Sequence, residues 1–462
     1  MSEGVAPAAV PMVRVVVLNY NGDPHLYQCL EALAATQWPS DRLQVVVIDN
    51  ASADGSPDVV SDRFPAVELR RLATNTGFPA NNEALRDLND VDLVALINND
   101  AFVTPGWLAP LVAALEEDPE LAAACPKLVF APHFVELAVA SATFGVPGDA
   151  RQLGVRLSGV EVEGVDSWRS AQFPPPGFWG LERGRGDEAT FSWTNGVGRL
   201  RVPLAPVGSD SLVGSVEPFR VRVRLAAPKL TAVRLGEGEG QTVVEAGPAP
   251  SWHEVSVAGE PFDVVQNAGS LLLEGGYGAD RGFLERDLGQ YDHGEEVFAW
   301  CGGAVLLRPA YLAAVGLFDE RFFAYYEDTD LAWRGRAQGW RYRYVPTSVV
   351  RHQHATTSVE GSVTFNRYVE RNRLMMLTKN APGRLVLAAL AGYLTATVSY
   401  ARRDMLGPLR RARRPRFGVV GLRLVSLGSY LRWLPALLVD RHRLRSAQQV
   451  SDQELSTWFR VR

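Results

Sequence analysis

Within the first hundred residues, short apolar runs alternate with helical patterns, and three of the runs end in asparagine or aspartate. Residues 13–18 lead into Asn19-Tyr20-Asn21-Gly22, residues 44–48 into Asp49-Asn50, and residues 92–97 into Asn98-Asn99-Asp100; residues 67–72 form a weaker run of the same kind. A helix is predicted from about Pro24. Strands that are apolar along their whole length have both faces covered, so the pattern predicts a mostly parallel sheet between helices. Polar residues then collect at the carboxyl ends of the strands, where open α/β sheets bind ligands.

From 132 to 261 the texture changes. Helical periodicity stops, Gly and Pro become frequent, and strict alternation appears. Phe219, Val221, Val223 and Leu225 take one face, and Arg220, Arg222 and Arg224 the other. Residues 231–235 and 241–245 flank a Gly-Glu-Gly-Glu-Gly loop, and 252–257 alternate again. Short strands at this spacing predict an antiparallel β-sandwich inserted into the α/β domain. After Phe262 the earlier character returns, with 297–308 strand-like and a helix carrying Glu327-Asp328-Thr329-Asp330. Beyond Pro382 the chain reads as helical, apolar and rich in arginine. The expected division is therefore 12–131, 132–261, 262–380 and 381–462.

Composition adds one constraint. The net charge of −5 hides a polarity: residues 381–462 hold 15 Arg, no Lys and only four acidic residues, about +11, leaving about −16 elsewhere. A basic end on an acidic body points to an anionic surface. The aromatic and polar interleaving of an RNA-reading module is absent, so a membrane is expected and nucleic acid is not. The apolar run 385–401 is short for a spanning helix and is expected to be interfacial or buried. Cys29, Cys125 and Cys301 give neither a disulfide framework nor a metal pairing, which fits a reducing, cytoplasmic compartment. The first dozen residues lack the features of a signal peptide.

Several clusters could carry chemistry, each with a plainer alternative. Asn98-Asn99-Asp100 at a strand end can hold a divalent cation against a diphosphate, or form an Asx-turn. Asp49 can meet a ribose hydroxyl or cap the next helix. Asn75-Thr76-Gly77-Phe78 could line a nucleotide pocket or be a polar turn. Phe322-Phe323-Ala324-Tyr325-Tyr326 precede three carboxylates in four residues. Dipole complementarity accounts for Glu327 but not for the aromatic residues, whose company would desolvate Asp328 and make it a better base. His352 and His354 could complete a metal site, and Arg371 and Arg373 could meet phosphate oxygens or form a charged helix face.

The order of these pieces is more specific than any one of them. VVVLNYN at 15–21, VIDNAS at 47–52, NTGF at 75–78, INND at 97–100, Gly302-Gly303-Ala304, YEDTDLAWR at 326–334 and His352 together resemble glycosyltransferase family 2, in particular its bacterial rhamnosyltransferase-like branch. The resemblance covers about 12–131 and 262–380. It implies a GT-A fold, with a Rossmann-like half for the sugar nucleotide and a second half for the acceptor. By the same resemblance Asn19 and Asp49 contact base and ribose, Asn75 and Gly77 line the nucleotide pocket, and Asn98 and Asn99 lie beside the diphosphate with Arg371 and Arg373. Asp100 and His352 hold Mn²⁺ or Mg²⁺, with His354 competing for that role. Asp328 is the catalytic base, and Trp300, Gly302, Gly303, Tyr326 and Glu327 shape the acceptor pocket.

The reaction this resemblance implies is an inverting transfer from a nucleoside-diphosphate sugar to a glycan or polyprenyl-diphosphate-linked glycan, at the inner face of the cell membrane. Asn98 departs from a full DXD motif, which leaves the metal one carboxylate fewer. The insert lies outside the family's minimal pattern; it could bind glycan through Trp168, Trp179, Trp193 or Trp252, or support a homo-oligomer. The rivals are a sugar nucleotidyltransferase, for which Asn19-Tyr20-Asn21-Gly22 supplies no glycine-rich phosphate loop, and a catalytically silent glycan-binding protein.

Overall fold

The computed structural model describes residues 10–184, 190–204, 218–353, 362–410, 414–415 and 417–460. They form two compact units. One comprises Met1–Val129, Gln266–Phe283 and Gly289–Arg462, the other Phe130–Val265 with Leu284–Leu288. The insert predicted at 132–261 thus lies within the second unit, which also draws in the short segment Leu284–Leu288.

The first unit is built on β1 (Val13–Asn19), β2 (Leu43–Asp49), β3 (Glu68–Arg71) and β4 (Leu93–Asn98), all parallel, in the order β3-β2-β1-β4. β1 and β4 are buried almost throughout, as apolar strands between helices must be. Helix α1 (His25–Ala34) crosses from β1 to β2 and buries Leu26, Cys29, Leu30 and Leu33, a single stripe at helical spacing. Helix α2 (Ser56–Arg63) crosses from β2 to β3. After β4 come β5 (Ala101–Val103), helix α3 (Leu108–Glu117) and β6 (Leu121–Phe130). Much later, β7 (Ala304–Leu307) inserts antiparallel between β4 and β6. Helix α4 (Glu327–Ala337) and the long β8 (Arg341–His352) follow.

Three long helices complete this unit: α5 (Val363–Asn380), α6 (Gly383–Ala401) and α7 (Gly418–Ser446). The second half of α5, Arg371–Asn380, is wholly buried. By contrast α6 and α7 bury few residues, and many of their large apolar side chains are exposed. The run 385–401 is therefore helical but is not a core helix.

The second unit is a two-sheet β-sandwich. One sheet runs Glu182–Arg183, Thr190–Trp193, Arg156–Val162, Phe219–Ala226, Ser251–Val257; the other runs Val197–Pro203, Phe134–Ser141, Thr231–Leu235, Thr242–Ala246. Every neighbouring pair is antiparallel. Phe219, Val221, Val223 and Leu225 enter the core with Leu137, Val139, Leu157 and Leu200, while the intervening arginines face away, as the alternation requires.

Candidate active site

Parallel pairing in β1, β2 and β4 brings three polar strand ends together. Asn19 is the register partner of Asp49, and Asn98 lies opposite Leu18 on the other side. Asn19 is fully buried. Its Nδ2 donates toward Asp49 Oδ1 (3.0 Å), Ser52 Oγ (3.1 Å) and Ser56 Oγ (2.9 Å), and its Oδ1 accepts from Asn99 Nδ2 (3.0 Å). An amide has two hydrogens, so this one is saturated. The expected contact between Asn19 and the nucleotide is corrected on that ground: Asn19 orients Asp49 and Asn99. Gly22 makes this possible, since a Cβ there would stand 2.3 Å from Asn19 Oδ1 and 2.4 Å from Asn99 Nδ2.

A second set of amides shapes the next loop. Asn50 Nδ2 donates to Asn75 Oδ1 (2.9 Å) and to the Gly77 carbonyl (3.0 Å), while Asn50 Oδ1 accepts from Thr76 N (2.9 Å). Asn75 Oδ1 also accepts from Gly77 N (2.8 Å). Gly77 sits at φ +76°, where a Cβ would lie 1.9 Å from the Phe323 carbonyl oxygen, so no other residue fits. That same carbonyl accepts from Phe78 N (2.7 Å). Asn50, Ser52 and Ser56 were not singled out from the sequence; their one signal is their place in the βα turn after Asp49. Beside this turn opens a cleft of about 510 Å³ lined by Asp49, Ser52, Arg71 and Leu72, within the range of small-molecule sites.

The metal corner depends on pairing across 252 residues. β5 lies antiparallel to the end of β8, with Ala101 opposite His352. Asp100 Oδ1 is consequently 2.9 Å from His352 Nε2, both side chains buried, and Asn98 Nδ2 is 3.4 Å from the same nitrogen. Gln266 Oε1 stands 2.8 Å from His352 Nδ1. An oxygen there accepts from a proton on Nδ1. A carboxylate beside an imidazole is a pair that a divalent cation could share, and the nitrogen suits Mn²⁺ better than Mg²⁺. Among the described residues no three His, Cys, Asp or Glu side chains converge. His354 lies outside the described residues. Gln266 belongs to no motif, and nothing in its neighbourhood distinguishes it in the sequence.

The aromatic run is a strained turn. Phe323, Tyr325 and Tyr326 all have φ between 66° and 69°, a region bulky residues rarely occupy, at a cost of roughly 1–3 kcal/mol each. The turn is held from α5. Asn372, fully buried, donates to the carbonyls of Phe322 (2.9 Å), Ala324 (2.7 Å) and Tyr325 (2.7 Å). Arg371 donates to the carbonyls of Arg321 and Phe322, both at 2.9 Å.

From this turn α4 sends its three carboxylates to different fates. Asp330 is fully buried among Arg334 Nε (3.0 Å), Lys379 Nζ (2.8 Å) and Asn380 Nδ2 (2.8 Å), a structural role. Glu327 is buried with Oε2 unpartnered, and burial followed by the nearby Asp328 charge pushes its pKa well above the carboxylate range. Asp328 remains partly open. Its oxygens accept from Thr329 N (2.5 Å), Thr329 Oγ1 (3.1 Å) and Gly302 N (3.2 Å); burial raises its pKa against the opposing pull of those bonds. The Gly303 carbonyl accepts from Asn98 N (3.0 Å). The adjacent residues Gly302 and Gly303 thus link the Asp328 carboxylate to the backbone of Asn98.

Other sequence expectations are corrected. Trp300 is fully buried, edge-on to Phe318 with ring centroids 6.1 Å apart, so it packs the core and lines no open pocket. Arg371 and Arg373 do not face an open phosphate site. Arg371 holds the turn, and Arg373 donates to the Gly275 carbonyl (2.7 Å) and lies over the Tyr277 ring. Backbone oxygens accept from both guanidiniums, while Arg373 Nε is left without a partner. Tyr326 Oη accepts from Gly278 N (3.2 Å). In the second unit Trp168 bonds Thr190, Trp179 bonds the Gln152 carbonyl, Trp193 meets Phe144, and Trp252, itself exposed, lies against Arg222.

Comparison with known proteins bears on the first of these regions. Residues 14–142 match the model of glycosyl transferase family 2. N-acetylglucosaminyl-diphospho-decaprenol L-rhamnosyltransferase of Mycobacterium tuberculosis is 31% identical over 129 residues, 25% of this chain and 41% of that protein. Poly(ribitol-phosphate) beta-N-acetylglucosaminyltransferase TarS of Staphylococcus aureus is 27% identical over 107 residues, 22% of this chain and 18% of that one. The chain thus spans less than half the length of these relatives. Among solved structures, GalNAc-T7 with UDP, GalNAc and Mn²⁺ aligns at 12% identity and a TM-score of 0.44, covering 93% of this chain and 57% of that one. S. aureus TarS 1–349 with UDP aligns at 14% and 0.38, covering 96% and 88%. The strand order, the strand-end residues and the family match agree: the chain carries a glycosyl transferase family 2 domain at residues 14–142.

Proposed function

We propose that this protein is an inverting, metal-dependent glycosyltransferase of cell-envelope polysaccharide synthesis. It would take a sugar from a nucleoside-diphosphate donor to a glycan or lipid-linked glycan at the inner face of the membrane. The observation that carries this is the link from Asp328 through Gly302 and Gly303 to Asn98, whose side-chain amide is 3.4 Å from His352 Nε2. It supports reading a partly desolvated carboxylate near a site that would suit a diphosphate-bound cation.

Asp49 and the amide-ordered loop around Asn75 and Gly77 receive the nucleoside, and Asp100 and His352 hold the cation. When bound, that cation neutralises charge on the departing diphosphate. Asp328 accepts the proton of the acceptor hydroxyl as its oxygen attacks the anomeric carbon. The new C–O bond forms on the face opposite the breaking bond to the diphosphate oxygen, so the configuration inverts without a covalent intermediate. Likeness to a rhamnosyltransferase puts L-rhamnose first among the sugars to test and N-acetylglucosamine second.

Binding and slow hydrolysis of a panel of uridine- and deoxythymidine-diphosphate sugars, with Mn²⁺ and with Mg²⁺, test the reading. One donor is expected to bind only with metal, and Asp100→Ala is expected to abolish that dependence. If no donor binds under any metal condition, the transferase reading fails and a silent glycan-binding protein replaces it.

A further inference from the structure

Helices α6 and α7 turn a mixed set of side chains inward: Ala389, Val420 and Leu437 beside Tyr393, Thr397, Arg423, Ser426 and Tyr430. Arg423 lies against the Tyr393 ring and donates to Glu370 Oε1 (2.8 Å), Thr397 Oγ1 (2.8 Å) and the Tyr393 carbonyl (3.0 Å). Tyr430 Oη meets Thr378 Oγ1 at 2.8 Å, and Arg441 donates to the carbonyls of Thr378 (2.8 Å) and Ala381 (2.7 Å). Large apolar side chains are exposed on both: Leu387, Leu394 and Val398 on α6; Leu424, Leu431 and Val439 on α7. Both helices are long and apolar enough to cross a bilayer, yet only 17% and 22% of their most apolar stretches are buried, which excludes a soluble core helix.

We propose that the outward faces of α6 and α7 are immersed in the hydrocarbon of one bilayer leaflet, and that neither helix crosses it. This deepens the membrane assignment above and does not depend on the reaction. Crossing is excluded by what the inner faces hold. α7 is bonded from Arg423 to Arg441 onto α5, whose buried Asn372 clamps the turn ahead of Asp328. Pulling α7 through a membrane would strand those buried polar groups in hydrocarbon. Charge selects the occupant. Arg402, Arg403, Arg410, Arg414, Arg432 and Arg443 are exposed along the same helices and the segment joining them. A second copy of the chain would set arginine against arginine, whereas anionic headgroups around an apolar leaflet satisfy both features. Nucleic acid would leave the apolar face in water.

Flotation of the full-length protein with phosphatidylcholine vesicles, with and without phosphatidylglycerol, at about 0.1 and about 0.5 M salt, tests this. Wild type is expected to float with both vesicle types, better with the anionic ones, and to keep most of its binding at high salt. Leu387→Glu with Leu394→Glu and Leu431→Glu, at side chains that face away from the protein, is expected to weaken binding at least ~10-fold in both, with Tm almost unchanged. Arg402→Gln with Arg432→Gln is expected to weaken only anionic binding at low salt. Binding erased by salt and indifferent to the glutamates would keep the membrane assignment but overturn immersion. No flotation, with a dimer that the glutamates dissociate, would overturn both in favour of a second copy. Resistance to alkaline carbonate extraction would show that a helix crosses.

Discussion

At the strand ends, side-chain amides order the loops in two sets, Asn19 with Asp49 and Asn99, and Asn50 with Asn75, and the positive-φ residues other than glycine there are Asn21 and Ala51. The turn before α4 is built in the opposite way. Three aromatic residues sit at positive φ, and two carboxylates at the helix start have raised pKa values. On the proposed function, the first arrangement would hold Asp49 and the loop around Gly77 in place for a nucleotide. The second would keep strain and desolvation at the group that takes a proton, held there by α5. Binding and proton transfer should therefore be separable by mutation.

The sharpest separation is expected from Asp328→Asn. Turnover should fall by about 10³-fold, as for a lost general base, while metal-dependent nucleotide affinity stays within about two-fold. Since burial raises the Asp328 pKa, the wild-type rate should fall with decreasing pH through a value above the ordinary carboxylate range, and the variant's residual rate should lose that limb. Equal losses in binding and turnover would show that the two regions act as one.

Next comes the clamp. Asn372→Leu removes the donors that hold the carbonyls of 322, 324 and 325, so kcat should drop by roughly 10²-fold through misplacement of Asp328, again with nucleotide affinity retained. Hydrogen exchange over 322–328 should speed up in parallel; unchanged exchange would remove the clamp from the explanation.

On the strand-end side, Gln266→Leu frees the His352 ring from its oriented form. Mn²⁺ affinity, read by electron paramagnetic resonance with nucleotide present, should weaken by about 10-fold. An unchanged affinity would mean that β5–β8 pairing alone orients the imidazole.

The smallest effect is expected at Glu327. Its raised folded-state pKa means that its share of stability is intact below about 4.3, the unfolded value, and is lost as pH rises through the folded value. Glu327→Gln mimics the protonated form, so above that window Tm should rise by about 2 °C or more and its pH dependence should flatten. Thermal melts between about pH 4 and pH 8 check this, and a fall in Tm at neutral pH would contradict the assignment.

Much of the nucleotide-side architecture was legible in order and composition. Continuous apolar runs can only be buried strands, and their termini identify the polar residues that the sheet collects. The alternation of Phe219, Val221, Val223 and Leu225 likewise determined a one-sided strand, because side chains alternate with period two. The partners of those residues were not legible. Asp100 meets His352 only because β5 pairs with the end of β8, and Gln266 reaches His352 from a third segment. Arg371, read as a phosphate ligand, is turned instead to carbonyls by the turn it holds.

The same limit explains the arginine-rich end. Sequence alone determined that residues 381–462 are helical, apolar and basic, since those are properties of local composition. Only the tertiary structure decided that Arg423, Tyr430 and Arg441 of α7 face α5 and that Leu424, Leu431 and Val439 are exposed. Which side of a helix is inside depends on what it packs against, and that neighbour lies elsewhere in the chain.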